Sequence, residues 1–84
     1  MQNLKLYTTS WCPDCWRTKS FLKERGVTFS EINIEHTPGA EEIVRRANEG
    51  KRKVPTLEIG GRYFAASPFN AERLAAELGI PLNR

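Results

Sequence analysis

The spacing of apolar residues changes from alternating to helical near the start of this 84-residue chain. Residues 4–7, Leu-Lys-Leu-Tyr, alternate in phase and predict a first β-strand. From Pro13 to Arg25 the apolar positions recur every three or four residues, which predicts a helix. Its predicted inward stripe consists of Cys15, Thr18, Phe21 and Leu22. Gly26 then ends the helix, because glycine readily adopts the left-handed conformation found at helix termini.

The middle of the chain predicts a second strand and a second helix. From Val27 to Ile34 the apolar residues occupy first one alternating phase and then the other, as in a strand covered on both faces. Thr37 is predicted to cap the second helix and Pro38 to be its first residue. The predicted inward stripe of this helix consists of Ala40, Ile43, Val44 and Ala47. Gly50 ends it.

The last third of the chain predicts a hairpin followed by a helix. Residues 57–59 form a short third strand, Gly60-Gly61 is a two-residue turn signal, and residues 62–65 return as the fourth strand. The last helix is predicted to begin at Pro68 or at Ala71. Its predicted buried residues are Ala71, Leu74, Ala75 and Leu78, and its predicted terminators are Gly79 and Pro81.

The order of these elements, β-α-β-α-β-β-α, predicts the fold class. Two strands joined by a helix lie parallel with a right-handed crossover, and the hairpin adds antiparallel strands. Because apolar-striped helices are available for both faces of the sheet, the pattern predicts an α/β/α sandwich of three layers. We expect one domain over residues 1–84, with a four-stranded mixed sheet and three helices.

Composition narrows the possible classes of function. With 39% hydrophobic and 27% charged residues the chain resembles an ordinary globular protein. The net charge of +3 is mild, and no basic stripe interleaved with aromatic residues indicates nucleic-acid binding. The apolar runs are too short for a membrane span, and the segment 1–3 leads into a strand without a signal sequence. We therefore expect a cytoplasmic protein that binds neither nucleic acid nor membrane.

The two cysteines, in Cys12-Pro13-Asp14-Cys15, carry the candidate chemistry. If the helix begins here, Cys12 is its N-cap and Pro13 its first residue. The sulfur of Cys12 can then accept a hydrogen bond from a backbone N–H, and a thiolate accepts such a bond better than a thiol does. The spacing of three also brings the Cα atoms within the range that a disulfide tolerates. We expect Cys12 to be the exposed attacking thiol and Cys15 the partly covered resolving thiol. Asp14 adds negative charge to the same turn and is expected to oppose ionisation of Cys12.

Three segments in this order resemble the glutaredoxins, a family with the thioredoxin fold. They are residues 7–15, residues 54–56 (Val-Pro-Thr) before the third strand, and the Gly60-Gly61 hairpin. Within the family, the chain looks most similar to the mycoredoxins of actinobacteria, through residues 7–12, 34–36 and 48–56.

The resemblance implies a thiol–disulfide oxidoreductase with a thioredoxin-like fold. It also implies a cis Val54–Pro55 peptide facing the cysteines, whose Val54 backbone binds an extended substrate. The candidate substrate-binding residues are Thr9, Trp11, Pro13, Lys53, Val54, Pro55 and Ser67. For Trp11 burial against the sheet is the alternative, and for Lys53 a solvated loop. Lys19 either stabilises a thiolate through its charge or is an ordinary surface lysine, and the only histidine, His36, is expected at the surface.

Two departures from the common glutaredoxin pattern bear on the identity of the small thiol. Residues 8–10 read Thr-Thr-Ser where many members have a lysine. Residues 65–67 read Ala-Ala-Ser where many have Gly-Gly followed by Asp or Ser, which hold the γ-glutamyl end of glutathione. The co-substrate is therefore glutathione, mycothiol or another low-molecular-weight thiol, and no bound cofactor or metal is expected.

The expected partners are a small thiol, disulfide-containing proteins and a reductase system, and the protein is expected to be a monomer. Two alternative functions remain open at this stage. The first is a dithiol electron donor that a flavoenzyme of the thioredoxin-reductase type reduces directly, for example for ribonucleotide reductase. The second is an iron–sulfur or metal carrier, in which two cysteines per chain would need a partner chain or external thiols to complete four ligands.

Overall fold

The computed structural model describes residues 4–80 and contains all seven predicted elements in the predicted order. They are β1 (Leu4–Thr8), α1 (Pro13–Glu24), β2 (Ser30–Asn33), α2 (Ala40–Ala47), β3 (Thr56–Ile59), β4 (Arg62–Ala65) and α3 (Ala71–Leu78). None of the helices within residues 4–80 has the length and apolar character that a membrane crossing requires.

The four strands form one mixed sheet in the order β2-β1-β3-β4. β1 pairs in parallel with β2, while β3 pairs antiparallel with both β1 and β4. Leu57 of β3 lies opposite Leu6 of β1 on one side and opposite Phe64 of β4 on the other. The predicted mixed sheet is confirmed, and the central strand β1 leads directly into the loop that carries the cysteines.

Apolar side chains form a core on each face of the sheet. The larger cluster joins α1 and α3 to the sheet and consists of Leu4, Leu6, Phe21, Leu22, Leu57, Ala66, Leu74 and Ala75. The smaller cluster joins α2 to the sheet and consists of Tyr7, Ile34, Ala40 and Val44. Because Leu6 and Tyr7 are consecutive in a strand, they point to opposite faces. The predicted three-layer α/β/α sandwich is therefore confirmed.

The second strand is shorter and more exposed than its sequence predicts. It spans Ser30–Asn33, pairs only with β1 and begins with two exposed residues. The N–H of Val27 bonds to the carbonyl of Leu22 at 2.9 Å, so Val27 belongs to the cap of α1. Gly26, at φ 71°, makes this cap possible. The prediction of one strand over residues 27–34 was too long, because Val27 closes the helix and the strand begins at Ser30. Its two apolar phases do pack on opposite faces, Val27 and Phe29 with the larger cluster and Ile32 and Ile34 with the smaller.

The second helix begins later than predicted. Its N-cap is Gly39, at φ 83° and without a side-chain hydrogen bond, and not Thr37. Thr37 and Pro38 lie in a turn, where the N–H of Ala40 bonds to the carbonyl of Thr37 at 3.1 Å. Ile43 is 37% exposed although a buried position was predicted. The helix buries Ala40 and Val44, which lie on one face, and Ile43 lies at the edge of that face.

The third helix begins at the second of its two predicted starts. Asn70 is the N-cap, and its side chain accepts the N–H of Arg73 at 2.9 Å. Gly79, at φ 69°, ends the helix as predicted. Of the predicted stripe, Leu74 and Ala75 are buried and the two outer residues are half-buried. The predicted terminator Pro81 lies outside the described residues.

Two fully buried threonines, Thr18 on α1 and Thr56 on β3, differ in whether their hydroxyls are hydrogen-bonded. The Thr18 hydroxyl has no hydrogen-bond partner among the described residues. The Thr56 hydroxyl donates to the Lys53 carbonyl at 2.6 Å and accepts from the Asn48 amide at 3.1 Å. Since an unpaired buried hydroxyl costs about 1–3 kcal/mol, Thr18→Val is expected to keep or raise the free energy of unfolding. Thr56→Val is expected to lower it by about 1–3 kcal/mol. Urea unfolding of the reduced proteins measures both changes, and equal losses would contradict this assignment of partners.

Candidate active site

Cys12 lies at the N-terminus of α1 and caps it through its sulfur. Its backbone is extended, at φ −120° and ψ 106°, and Pro13 is the first helical residue. The N–H of Cys15 donates to the Sγ of Cys12 at 3.1 Å. The predicted N-cap is therefore confirmed. The helix thus directs one of its otherwise unpaired first-turn amides at the sulfur of Cys12.

The two cysteines differ in exposure. Cys12 is half-buried, whereas Cys15 is only 1% exposed, and neither is in a disulfide. The thiol of Cys12 also donates to the carbonyl oxygen of Val54 at 3.5 Å. Cys12 therefore lies between the first turn of α1 and the loop that precedes β3, with one side open to solvent.

Burial, and after it the hydrogen bond with Cys12, raise the pKa of the Cys15 thiol to about 12. A hydrogen bond from the Thr9 backbone and the charge of Lys19 act in the opposite direction without outweighing burial. Cys15 therefore remains a thiol at neutral pH, while the accessible sulfur is that of Cys12.

The raised pKa of Cys15 predicts how stability depends on pH. Below the pKa of an unfolded cysteine, about 8.5, this thiol contributes no pH dependence, because both states keep the proton. Above it the unfolded chain loses the proton that folded Cys15 keeps, so the free energy of unfolding falls until the folded pKa of about 12. The limiting slope is about 1.4 kcal/mol per pH unit.

Urea unfolding of reduced protein from pH 8 to pH 11 measures this effect. The free energy of unfolding of the wild type should fall more steeply than that of Cys15→Ala, by about 1 kcal/mol per pH unit. Only the slopes are compared, because the alanine also changes packing. Parallel curves for the two proteins would contradict the raised pKa of Cys15.

The Val54–Pro55 segment faces Cys12 and is held by the strand end beside it. The Val54–Pro55 peptide is cis, as the resemblance implies. The Ser67–Pro68 peptide is also cis, which the sequence analysis did not predict. The N–H of Ala66 donates to the carbonyl of Pro55 at 2.9 Å, so the segment before α3 runs alongside this proline.

Asp14 connects the first turn of α1 to the segment before α3. Its Oδ1 lies 3.1 Å from Nη1 of Arg17, and its Oδ2 accepts a hydrogen bond of 3.5 Å from the hydroxyl of Ser67. The carboxylate that the sequence predicts to oppose ionisation of Cys12 is thus paired with a cation one turn away. Ser67 reaches the site through this contact, which sequence spacing alone does not reveal.

The remaining candidate binding residues differ in their exposure to solvent. Trp11 is 93% exposed, which excludes its burial against the sheet, and Thr9 is half-buried. Pro13 is exposed at the helix start. Lys53 is also exposed and forms no side-chain ion pair with residues 4–80. Its neighbour Arg52, by contrast, pairs with two carboxylates.

A polar cluster beside the site joins three elements and was not predicted. The carboxylate of Glu31 accepts hydrogen bonds from Thr8 at 2.9 Å and from Lys19 at 3.0 Å. Burial raises the pKa of Glu31, but the hydrogen bonds from Lys19 and Thr8 outweigh it and hold this pKa below its usual value. Only Lys19 was singled out from the sequence. Thr8 and Glu31 meet because β1 pairs with β2. Glu31 lies opposite Leu6, and Thr8 follows Leu6 by two residues on the same face of the strand.

Comparison with known proteins identifies the family. Residues 4–64 match the family model described as Glutaredoxin. The chain belongs to the glutaredoxin family. Together with the fold and the paired cysteines, this makes it a thiol–disulfide oxidoreductase, as the sequence analysis predicts.

Individual relatives support the same assignment. A Mycobacterium tuberculosis protein assigned to the glutaredoxins is 37% identical over 75 residues, which cover 89% of this chain and 88% of that protein. Mycoredoxin 1 of Corynebacterium glutamicum is 36% identical over 76 residues, covering 89% and 92%. The predicted likeness to mycoredoxins is thereby confirmed.

A solved structure adds a relative of a different kind. The glutaredoxin-like NrdH-redoxin of Escherichia coli, described as having a thioredoxin-like activity profile, superposes with a TM-score of 0.66 and 30% identity. The superposition covers 75% of this chain and 80% of that one. This glutaredoxin therefore resembles both mycoredoxins and a thioredoxin-like member of its own family.

Proposed function

We propose that this glutaredoxin reduces protein disulfides, and mixed disulfides between a protein and a small thiol, with Cys12 as nucleophile and Cys15 as resolving thiol. One observation carries the assignment of roles: the Cys15 amide bonds to the accessible sulfur of Cys12 at 3.1 Å, while the Cys15 side chain is 1% exposed. An accessible, amide-stabilised thiolate is the nucleophile in such exchange, and a buried thiol resolves it.

The reaction proceeds by two exchanges. The Cys12 thiolate attacks one sulfur of the substrate disulfide; a new sulfur–sulfur bond forms, the old one breaks, and the leaving thiolate takes up a proton. In the monothiol route, a second small thiol attacks the mixed disulfide and leaves as a disulfide, which regenerates Cys12. In the dithiol route, Cys15 attacks the sulfur of Cys12, and a reductase later returns two electrons to the Cys12–Cys15 disulfide.

The proposed substrate groove runs along the Val54–Pro55 segment. The Val54 carbonyl is within hydrogen-bond distance of the Cys12 sulfur, which supports binding of an extended substrate to this backbone as an added strand. Thr9, Trp11 and Pro13 line the proposed groove on the cysteine side. Lys53 and Ser67 stand at its two proposed ends, where Lys53 offers an ammonium without an ion pair among residues 4–80.

The proposed co-substrate is a low-molecular-weight thiol, with mycothiol preferred over glutathione. Two features support this preference: the Ala65-Ala66-Ser67 sequence lacks the two glycines of glutathione-binding members, and mycoredoxin 1 is 36% identical. In addition, the hydroxyl of Ser67 is directed to Asp14, which places a carboxylate near the end where a γ-glutamyl carboxylate would bind.

An assay with one carrier protein tests the choice of thiol. The same single-cysteine protein is loaded with mycothiol, glutathione or bacillithiol, and the rate of its reduction is measured with the matching free thiol. Cys12→Ser provides the background rate. We expect the mycothiol substrate to be reduced at least about tenfold faster than the glutathione substrate, a difference of about 1.4 kcal/mol in transition-state stabilisation. A faster reaction with glutathione would contradict the proposal.

A second candidate function is favoured by the likeness to NrdH-redoxin. That protein has a thioredoxin-like activity profile, which supports direct reduction of the Cys12–Cys15 disulfide by a flavoenzyme of the thioredoxin-reductase type. NADPH oxidation by such a reductase, with this protein as the only disulfide, distinguishes the two functions. Turnover that requires Cys15 and no small thiol would favour the dithiol donor, which the sequence analysis relates to ribonucleotide reductase.

The proposed setting is the cytoplasm, with the protein acting as a monomer. A reducing compartment keeps such a cysteine pair in its working thiol form. One domain over residues 1–84 is sufficient for this chemistry. Both cysteines and the Val54–Pro55 segment lie at the same end of the sheet, where β1 finishes and β3 begins.

A further inference from the structure

The dithiol route sets a specific problem for Cys15. The residue must attack as a thiolate, yet it is 1% exposed and burial raises its pKa to about 12. Burial penalises the thiolate that the second exchange requires, so the site itself opposes that step. A nearby fixed positive charge would lower the cost of forming the thiolate.

Lys19 is placed to supply that charge. It follows Cys15 by four residues on α1, so the two side chains share one face of the helix. Its side chain is 29% exposed, and its Nζ lies 3.0 Å from the Oε2 atom of Glu31 on β2. Apart from the Thr9 backbone, Lys19 is the group whose effect favours the charged form of Cys15.

Glu31 and Thr8 hold Lys19 in this position. The Thr8 hydroxyl is fully buried and donates to the same Oε2 atom at 2.9 Å, which fixes the carboxylate between the two strands. An unrestrained lysine side chain loses rotamer freedom when it is fixed in one place, and the ion pair offsets part of this entropy cost in advance. Because the pKa of Glu31 is held below its usual value, the pair persists through neutral pH.

We infer that Lys19, held by Glu31 and Thr8, is a positioning residue that stabilises the Cys15 thiolate in the resolving step. The inference rests on the proposed roles of the two cysteines and adds a residue that acts only after Cys12 has reacted. In that step Cys15 releases its proton to solvent and attacks the sulfur of Cys12. The substrate thiolate then leaves and takes up a proton, so that atoms and charge balance.

Ellman's reagent separates the two exchanges in one absorbance trace. Attack by Cys12 releases a first thionitrobenzoate and leaves the second bound to Cys12, and attack by Cys15 then releases it. Stopped-flow measurement at pH 7 with one equivalent of reagent gives both rates. Cys15→Ser should retain the first release and lose the second, which assigns the phases.

Lys19→Gln is expected to slow the second release and to leave the first within about twofold. If the loss of this charge reduces the thiolate fraction of Cys15 about tenfold, the remaining thiolate is also more nucleophilic. With a Brønsted coefficient of about 0.4–0.5 the net loss is about threefold. Lys19→Arg should restore most of the rate, and Glu31→Gln should give an intermediate loss. Lys23→Gln, the same change of charge one turn farther along α1, should have no effect.

Three results would overturn this inference. They are an unchanged second release in Lys19→Gln, an equal slowing of both releases, and an equal effect of Lys23→Gln. Thermal unfolding of each reduced variant controls for folding. Failure of the proposed function has a different signature, because the first release would then persist in Cys12→Ser.

Discussion

Replacing Cys12 with serine is expected to reduce disulfide reductase activity by at least about a thousandfold, because a hydroxyl cannot replace a thiolate in the first exchange. Cys15→Ser, in contrast, is expected to retain turnover of a small-thiol mixed disulfide through the monothiol route. The measurement is the initial rate of reduction of one mixed disulfide by wild type and both variants. Each substitution replaces a single atom, so both variants are expected to fold. Thermal unfolding of the reduced proteins checks that they do.

The two variants also separate the routes. Equal loss of activity in both would show that the dithiol route is obligatory and would remove the monothiol step from the mechanism. Activity retained in Cys12→Ser would contradict the assignment of Cys12 as nucleophile. Loss confined to Cys12→Ser is the outcome that the exposures of the two sulfurs predict.

The largest effect on stability is expected from Leu22→Ala. Leu22 is fully buried in the cluster between α1 and the sheet, so its truncation removes contacts and leaves a cavity. Such substitutions cost about 2–5 kcal/mol, and a domain of this size then unfolds roughly 10 °C lower or more. Urea and thermal unfolding of the reduced protein measure the change.

Ile43→Ala is the matched control for this prediction. Ile43 has a similar volume but is 37% exposed at the edge of α2, so its truncation is expected to cost less than about 1 kcal/mol. Comparable losses in the two variants would contradict the difference in burial between Leu22 and Ile43.

Local signals in the sequence were sufficient for the start and end of α1. Pro13 has the backbone angle that a first helical residue needs, and Gly26 accommodates the left-handed cap. Both act through neighbouring backbone atoms, so no distant contact is required. The same holds for the Gly60-Gly61 turn, whose two positive φ angles match its sequence.

Errors arose where a turn or capping hydrogen bond just outside a regular element decided the outcome. Thr37 and Pro38 satisfy the rules for a helix start, but the turn closes on Thr37 and the helix begins after Gly39. Val27 has the character of a strand residue, yet its N–H completes the cap of α1. In each case one hydrogen bond outside the regular element outweighed a residue preference.

The candidate site was predictable in its centre and not at its periphery. Cys12 and Cys15 are three residues apart, so helix geometry alone brings them together. Thr8 and Glu31 are 23 residues apart, and Asp14 and Ser67 are 53 apart. Sheet pairing and the path of the segment before α3 create these contacts, and neither follows from residue spacing.

Differential alkylation tests the central claim most directly, namely that Cys12 is the reactive sulfur and Cys15 the protected one. Fully reduced protein is treated at pH 7 with less than one equivalent of iodoacetamide, digested, and mapped by mass spectrometry. We expect the label on Cys12, with less than about a tenth of it on Cys15, because a buried cysteine is inert. Equal labelling of the two cysteines, or preferential labelling of Cys15, would contradict the account.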